Sequence, residues 1–117
     1  MRVTNAPASR ERRRRRLELA KGFRGGRSKL FRTATEAVDR AQRLATVHRK
    51  LRKREFRSLW IARINAATRA EGMSYSRFIE GLTKSGVEIN RKMLSEIAIH
   101  DAEGFKKIVE TARSALA

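Results

Sequence analysis

Residues 27–71 read RSKLFRTATEAVDRAQRLATVHRKLRKREFRSLWIARINAATRAE, and the predicted architecture follows from this segment. It contains neither Pro nor Gly, and it is dominated by Ala, Leu, Arg, Lys and Glu, which are strong helix formers. The composition therefore predicts one continuous helix that ends at Gly72. At ~1.5 Å per residue such a helix extends roughly 68 Å. A compact domain built from this chain is too small to cover that length, so we expect much of the helix to project.

Cationic side chains are distributed around the whole of this predicted helix. Arg40 and Arg49 are nine residues apart, which places them on opposite sides at ~100° per residue. A helix that lies on a membrane needs one apolar face, and no such face is evident here. No run of the sequence approaches the ~18 apolar residues that span a bilayer. The pattern favours a helix surrounded by a polyanion and disfavours a membrane partner.

Clustered glycines in the segment 22–26 predict a break upstream of the long helix. A shorter basic helix is predicted over residues 10–21, with Ser9 as its N-cap. Residues 1–9, which include the only Pro, are expected to form an irregular tail. The glycine segment is expected to act as a hinge between two basic helices.

Downstream of the long helix, the apolar residues recur at helical spacing. Ser74, Asn90 and Asp101 each precede such a run and are predicted N-caps, and Gly86 suits a helix C-terminus. The inward-facing residues are expected to be Trp60, Ile64, Ala67, Tyr75, Phe78, Ile79, Leu82, Leu94, Ile97, Ala98, Phe105, Ile108, Val109, Ala112 and Leu116. No strand pattern and no repeat of solenoid length appears. The fold class is therefore predicted to be all-α, a long basic N-terminal helical extension followed by a small C-terminal bundle.

The charge is divided unequally between two predicted domains. Residues 1–58 carry 20 Lys and Arg against 5 Asp and Glu, a net +15, whereas residues 59–117 carry nine against seven, a net +2. Because like charges repel, residues 1–50 are expected to be poorly ordered in the free protein and to fold when a polyanion neutralises them. A compact core is expected in the second domain alone. An Arg-rich N-terminus also occurs in transit peptides, but Glu11 and Glu18 interrupt this one.

The sequence offers no constellation for catalysis or metal binding. It has no Cys, and His48 and His100 are far apart without carboxylates at ligand spacing. Neither His has a companion nucleophile or an acid–base partner. We therefore expect no enzymatic activity, no cofactor, no metal and no small-molecule substrate.

Nucleic acid is the polyanion that the basic residues fit best. Arg outnumbers Lys in the first domain, and its planar guanidinium bridges phosphates and stacks on exposed bases, which favours structured RNA. Phe23, Phe31 and Phe56 lie within basic sequence, where they either stack on bases or wedge into a helix junction.

Other aromatic residues fit a structural interpretation. Trp60, Phe78 and Phe105 have core spacing, and the core is their favoured location. Tyr75 is expected to be half-exposed, with its hydroxyl free to reach a phosphate or a helix end.

Several stretches, in order, resemble one family. The segment KREFRSLWIARINAATR at 53–69 is similar to the signature of the L-twenty family of bacterial large-subunit ribosomal proteins. KGFRGGRS at 21–28 resembles the family's basic hinge, and GMSYSRFIEGL at 72–82 and VEINRKML at 87–94 resemble its following helices. The similarity covers about residues 10–117. The chain departs from the family at residues 3–9, which read VTNAPAS where another basic, Gly-containing stretch is usual.

The resemblance implies a protein of the ribosome without enzymatic activity. Its implied partners are large-subunit ribosomal RNA and neighbouring large-subunit proteins, its implied location is the ribosome in the cytoplasm or in an organelle, and its implied role is early subunit assembly. Some family members also bind their own messenger RNA, and the sequence leaves that open here. The C-terminal domain is expected to dock first, with residues 57–69 as its RNA-facing edge.

The candidate RNA-binding residues combine the cations of the extension with polar residues around that edge. They are Arg10, Arg12, Arg13, Arg14, Arg15, Arg16, Lys21, Arg24, Arg27, Lys29, Arg32, Arg40, Arg43, Arg49, Lys50, Arg52, Lys53, Arg54, Arg57, Arg63, Asn65, Arg69, Ser74, Tyr75 and Ser76. The last three are the weaker candidates of the second domain. The alternative function is a DNA-compacting architectural protein, although neither a dimer interface nor a groove-reading helix is evident. A membrane-active cationic helix is a third hypothesis, which the missing apolar face disfavours.

Overall fold

A computed structural model describes residue 2 and residues 4–117, and it contains only helices and turns in that part of the chain. The predicted all-α class is confirmed. Six helices follow one another, and they are α1 (Ala6–Glu18), α2 (Gly26–Lys29), α3 (Phe31–Ala70), α4 (Tyr75–Lys84), α5 (Arg91–His100) and α6 (Ala102–Ser114). The chain forms two compact units, of which the first ends at Lys50 and the second runs Leu51–Ala117. The functional division predicted after residue 58 stays a prediction.

The first helix begins earlier than its sequence signals indicated. It starts at Ala6, with Asn5 in the N-cap position and Pro7 in the first turn, so the prediction of Ser9 as N-cap is wrong. Pro suits this place because the N–H that it lacks has no partner inside the helix. The helix ends before the glycine segment, as predicted, and Gly22 and Gly25 adopt φ values of +89° and +64°.

The long helix is shorter than predicted, because the backbone breaks at Leu30. That residue is extended, with φ −82° and ψ 118°, and it separates the single turn of α2 from α3. Its carbonyl accepts a hydrogen bond from the Ala34 N–H at 2.7 Å, so Leu30 stands at the N-terminal boundary of α3. The remaining 40 residues are one uninterrupted helix, about 60 Å long.

The first unit has a small core that the sequence analysis did not expect. Ala20, Ala34 and Val38 are buried, and Leu17 and Phe23 pack against them. This cluster brings the end of α1 and the following turn against the start of α3. Phe23 is therefore half-buried within the first unit, and its two predicted roles toward RNA stay predictions.

The second unit is held by a larger core drawn from four helices. Its buried residues are Ile64, Phe78, Leu82, Leu94, Phe105, Val109 and Ala112. Helix α6 packs against α4 and α5. The approach to α4 is close, because a Cβ at Gly81 would overlap the backbone carbonyl of Ala112. All seven buried residues had been predicted to face inward.

The helix ends of the second unit follow the predicted capping residues. The side chain of Asn90 accepts a hydrogen bond from the Met93 N–H at 2.9 Å, and that of Asp101 accepts one from the Gly104 N–H at 2.8 Å. Ser74 occupies the N-cap position of α4, but its side chain makes no capping bond. Arg113 donates a 2.6 Å hydrogen bond to the Glu71 carbonyl, which ties α6 to the end of α3.

Candidate nucleic-acid interface

Helix α3 carries its largest excess of positive charge between residues 40 and 70. This segment has ten Lys and Arg and a single carboxylate, Glu55. All ten cationic side chains are exposed. Within the described part of the chain, none of the ten has a carboxylate oxygen within 4.0 Å. Their mutual repulsion is therefore uncompensated inside the protein, which is the condition that a bound polyanion relieves. The ten are Arg40, Arg43, Arg49, Lys50, Arg52, Lys53, Arg54, Arg57, Arg63 and Arg69.

Helix α1 differs, because part of its charge is paired. Glu11 accepts from Arg14 at 3.2 Å and from Arg15 at 3.3 Å. Arg16 reaches Asp39 on α3 at 2.6 Å. Exposed pairs of this kind contribute only ~0–1 kcal/mol each, so phosphates can replace the carboxylates at little cost. The cations of α1 thus remain available to a polyanion.

The remaining cations of the first unit also face solvent. Arg10, Arg12 and Arg13 are exposed, and the Arg13 guanidinium lies 5.9 Å from the centre of the Phe31 ring. The connecting segment adds five more exposed cations, at Lys21, Arg24, Arg27, Lys29 and Arg32.

A groove in the first unit gathers some of these residues. Arg24, Arg27 and Arg40 line an open groove beside Phe23. The candidates of the extension therefore form a broad surface and not a single pocket.

In the second unit, α3 and α5 form a groove of about 500 Å³ around two aromatic rings. The rings of Phe56 and Trp60 are 6.2 Å apart, and Phe56 is 48% exposed. The prediction that Trp60 lies in the core is wrong. Within the second unit, the buried face of α3 begins one turn later, at Ile64, and Trp60 lines the groove together with Phe56 instead. The charged residues that complete the lining are Arg52, Lys53, Arg57, Arg63, Lys92 and Glu96.

The four leading candidates of the predicted RNA-facing edge do not share one face of α3. Arg57 and Arg63 both line the groove around Trp60. Arg69 lies nine residues after Trp60, half a turn away around the helix, and Asn65 lies on the same far side. Helix geometry thus divides the set into a pair at the groove and a pair opposite it.

The weaker candidates divide in a similar way. Ser74 and Ser76 are exposed at the start of α4. Tyr75 is half-buried, as expected, but its hydroxyl accepts a 2.8 Å hydrogen bond from Arg91 Nε. Its acceptor capacity is therefore partly used inside the unit.

Sequence reasoning did not single out Lys92 and Glu96, which α5 contributes to the groove. Both follow the Asn90 cap and were visible as charged residues of a short helix. Their approach to α3 depends on the packing of the bundle, which no local pattern specifies.

The outer face of α4 shows the opposite electrostatic arrangement to α3. Lys84 and Arg77 donate hydrogen bonds to the Glu80 carboxylate at 3.0 and 3.2 Å. These bonds lower the pKa of Glu80 from its ordinary value of 4.5. The charges on this face therefore neutralise one another, and it offers a polyanion less than α3 does.

The described residues offer neither a metal site nor a membrane-spanning helix. These residues contain no group of three or more His, Cys, Asp or Glu side chains arranged to hold a metal ion. None of their helices combines the length and the apolar composition needed to cross a bilayer.

Comparison with known proteins gives a match along nearly the whole chain. The sequence model of the family described as "Ribosomal protein L20" matches residues 2–108. A protein of Alkaliphilus metalliredigens named "Large ribosomal subunit protein bL20" is 62% identical over 115 residues, which cover 98% of this chain and 97% of the relative. Proteins of the same name from Clostridium acetobutylicum and Clostridium botulinum are 59% and 56% identical, covering 96% and 98% of this chain and 94% and 97% of theirs. The family match includes the divergent residues 3–9.

Proposed function

We propose a function that proceeds from one finding: the chain belongs to the ribosomal protein L20 family. The resemblance read from the sequence is confirmed. The protein is a structural constituent of the large ribosomal subunit, and it is not an enzyme. Its partners are accordingly ribosomal RNA and proteins of that subunit.

The finer proposal is that the chain binds large-subunit ribosomal RNA directly and supports an early step of subunit assembly. The observation that carries it is the set of ten exposed cations along residues 40–70, none of them paired with a carboxylate in the described structure. When such a side chain neutralises a phosphate of the RNA, the counterion condensed on that phosphate is released. This release contributes to the binding affinity. Because these cations lie around α3 and not on one stripe, the arrangement suits RNA that closes on the helix from several sides.

The two units would contribute differently to binding. The second unit, with its larger core, would present a preformed surface to the RNA. The first unit has a small core and a large positive net charge. Its conformation would change as phosphates replace the carboxylates that pair with its arginines. Bridging of distant RNA segments by one chain would then follow from cations spread over both units.

A competition experiment tests the RNA proposal. The full chain is titrated with large-subunit ribosomal RNA fragments at several salt concentrations, with duplex DNA as competitor at matched salt. We expect the RNA to be preferred, with affinity falling at a log–log slope of about −0.7 to −0.9 per phosphate contact. Equal affinity for RNA and duplex DNA would instead favour the alternative, a DNA-compacting protein. A further arm with the chain's own messenger RNA measures whether that RNA competes for the same surfaces.

Charge-removing variants test the contribution of the second unit. Arg63→Gln and Arg69→Gln are each expected to weaken binding to the RNA fragment and to reduce the salt slope by about one phosphate contact. Lys107→Gln, an exposed cation of α6, is the control for loss of one charge. If neither Arg variant differs from Lys107→Gln, the RNA-facing edge lies elsewhere in the chain.

A further inference from the structure

The groove around Phe56 and Trp60 combines an exposed aromatic surface with a concentration of positive charge. Its floor is a pair of aromatic rings, one of them 48% exposed to water. Its rim carries five cations and one carboxylate. An exposed aromatic surface is a liability in water unless something covers it. The groove therefore has the composition of a binding site and not that of a core edge.

We infer that this groove receives one unstacked nucleotide of the RNA, whose base stacks on the Phe56–Trp60 pair while the rim cations hold its flanking phosphates. The inference rests on the proposed function and names the chemical group that the site takes. Unpaired bases in loops and bulges stack on aromatic side chains, and Arg and Lys contact the backbone beside them. The groove's size, about 500 Å³, falls within the range of sites that bury small organic ligands.

Helix geometry explains how one face of α3 provides both contacts. Phe56 and Trp60 are one turn apart, so their rings lie on the same side of the helix. Arg57 and Arg63 lie on either side of that line, and Lys92 approaches from α5. A base stacked on the rings would thus have cations on both sides. The phosphates before and after its nucleotide lie on these same two sides.

The presence of Glu96 indicates that the groove does not bind phosphates alone. A carboxylate repels phosphate, yet Glu96 lines the same groove and lies 3.5 Å from His100. It can accept a hydrogen bond from an amino group on a base edge, as carboxylates do with the N4 amino group of cytosine. Glu96 therefore marks where the base edge lies and favours a base that carries an amino donor.

The single tryptophan of the chain allows a direct test, because Trp60 is the only indole that fluoresces. The full chain is titrated with an RNA hairpin that has one bulged cytosine and with the same hairpin carrying an abasic site at that position. The two hairpins have identical phosphates. We expect the cytosine hairpin to bind about tenfold tighter and to change the Trp60 emission, and the abasic hairpin to leave it nearly unchanged.

Variants separate stacking from charge. Phe56→Leu is expected to remove most of the preference for the cytosine hairpin without altering the salt slope. Phe31→Leu is the matched control, because Phe31 is also an exposed aromatic in basic sequence but lies outside the groove. A uracil bulge, which presents an oxygen where cytosine has its amino group, is expected to bind about threefold more weakly, and Glu96→Gln is expected to abolish that difference.

The outcomes distinguish this inference from the proposed function. If both hairpins bind equally, with no change in emission, and both still outcompete duplex DNA, the nucleotide site is wrong and RNA binding stands. If neither the hairpins nor the large-subunit ribosomal RNA fragments outcompete duplex DNA, the proposed function fails as well. An acidic peptide that changes the Trp60 emission where the bulged hairpin does not would assign the groove to a protein partner and overturn the inference.

Discussion

The two compact units of this chain are stabilised by apolar clusters of very different size. In the first unit the buried cluster consists of Ala20, Ala34 and Val38, with only Leu17 and Phe23 packed against it. In the second unit two phenylalanines, two leucines, an isoleucine and a valine are buried together. Since apolar burial is the main source of folding free energy, the second unit has far more to stabilise it.

The contrast shows how charge and buried apolar surface are divided within this ribosomal protein. The first unit has a high density of cations and little buried surface, so its internal contacts are weak enough for phosphates to replace. The second has nearly balanced charge and a core that holds its surface in place without RNA. The groove around Phe56 and Trp60 lies in the second unit, where the larger core can fix its shape.

The largest expected effect comes from removing the aromatic centre of the second core. Phe78 is fully buried, and its ring centre is 5.6 Å from that of Phe105. Phe78→Ala is expected to lower the free energy of unfolding of the second unit by about 3–5 kcal/mol, because it removes apolar contacts and leaves a cavity. Thermal unfolding followed by Trp60 fluorescence reports on that unit alone.

Phe105→Leu provides the graded control for this substitution. It retains an aliphatic side chain in the same cluster, so its effect should be clearly smaller than that of Phe78→Ala. An unfolding temperature that Phe78→Ala leaves unchanged would contradict the assignment of this cluster as the main core.

A second way to test the larger core is to crowd its closest contact. Gly81 on α4 faces the backbone of Ala112 on α6, where a Cβ has no room. Gly81→Ala is expected to cost about 1–3 kcal/mol, although Ala favours helices more than Gly does. Ser76→Ala, exposed on the same helix, is the control and should be close to neutral. A stabilised Gly81→Ala variant would mean that α4 and α6 separate without penalty.

Much of the second unit was predictable because its signals are local. Apolar residues at i, i+3, i+4 spacing and capping side chains at Asn90 and Asp101 specify helices α5 and α6, and both caps are formed. The position of Gly86 after α4, with φ +71°, likewise follows from the need for a left-handed residue at a helix end. Each of these features depends on neighbours a few residues away.

The features that escaped prediction depend on contacts between distant residues. Leu30 carries no local breaking signal, and the chain bends there where Ala20 packs against Ala34 and Val38. Trp60 has core spacing, but the buried face of α3 in the second unit begins one turn later, at Ile64, so Trp60 is left in the groove. The alignment of α5 residues with that groove is also a property of the bundle and not of any segment.

The smaller cluster of the first unit can be tested on the helix that contributes most to it. Val38→Ala removes two buried carbon atoms and is expected to destabilise the contact between α1 and α3 by about 1.5 kcal/mol. Hydrogen exchange of the α1 amides should accelerate, because α1 has few other tertiary contacts to hold it. Val47→Ala, on the exposed side of the same helix, is the control. Equal exchange rates of the α1 amides in the two variants would show that the cluster of Ala20, Ala34 and Val38 does not hold α1 in place.

The smallest expected effect concerns charge in the second unit. The pKa of Glu80 lies below its ordinary value because Lys84 and Arg77 hydrogen-bond to the ionised carboxylate. Because the pKa of Glu80 is lowered in the folded state, the stabilisation by its ion pairs is complete above the ordinary pKa of 4.5. It is lost as the pH falls through the pKa of Glu80 in the folded state. The Glu80→Gln variant should therefore unfold at a lower temperature than the parent at pH 6 and at nearly the same temperature at pH 2. Glu88→Gln, at an exposed position outside the helices, should show no such convergence. Because the three side chains of the Glu80 cluster are exposed to water, the difference should be below that of Val38→Ala. A difference in unfolding temperature of equal size at both pH values would mean that Glu80 acts through helix packing. The pairing of its charge with Lys84 and Arg77 would then not contribute to the stability of the second unit.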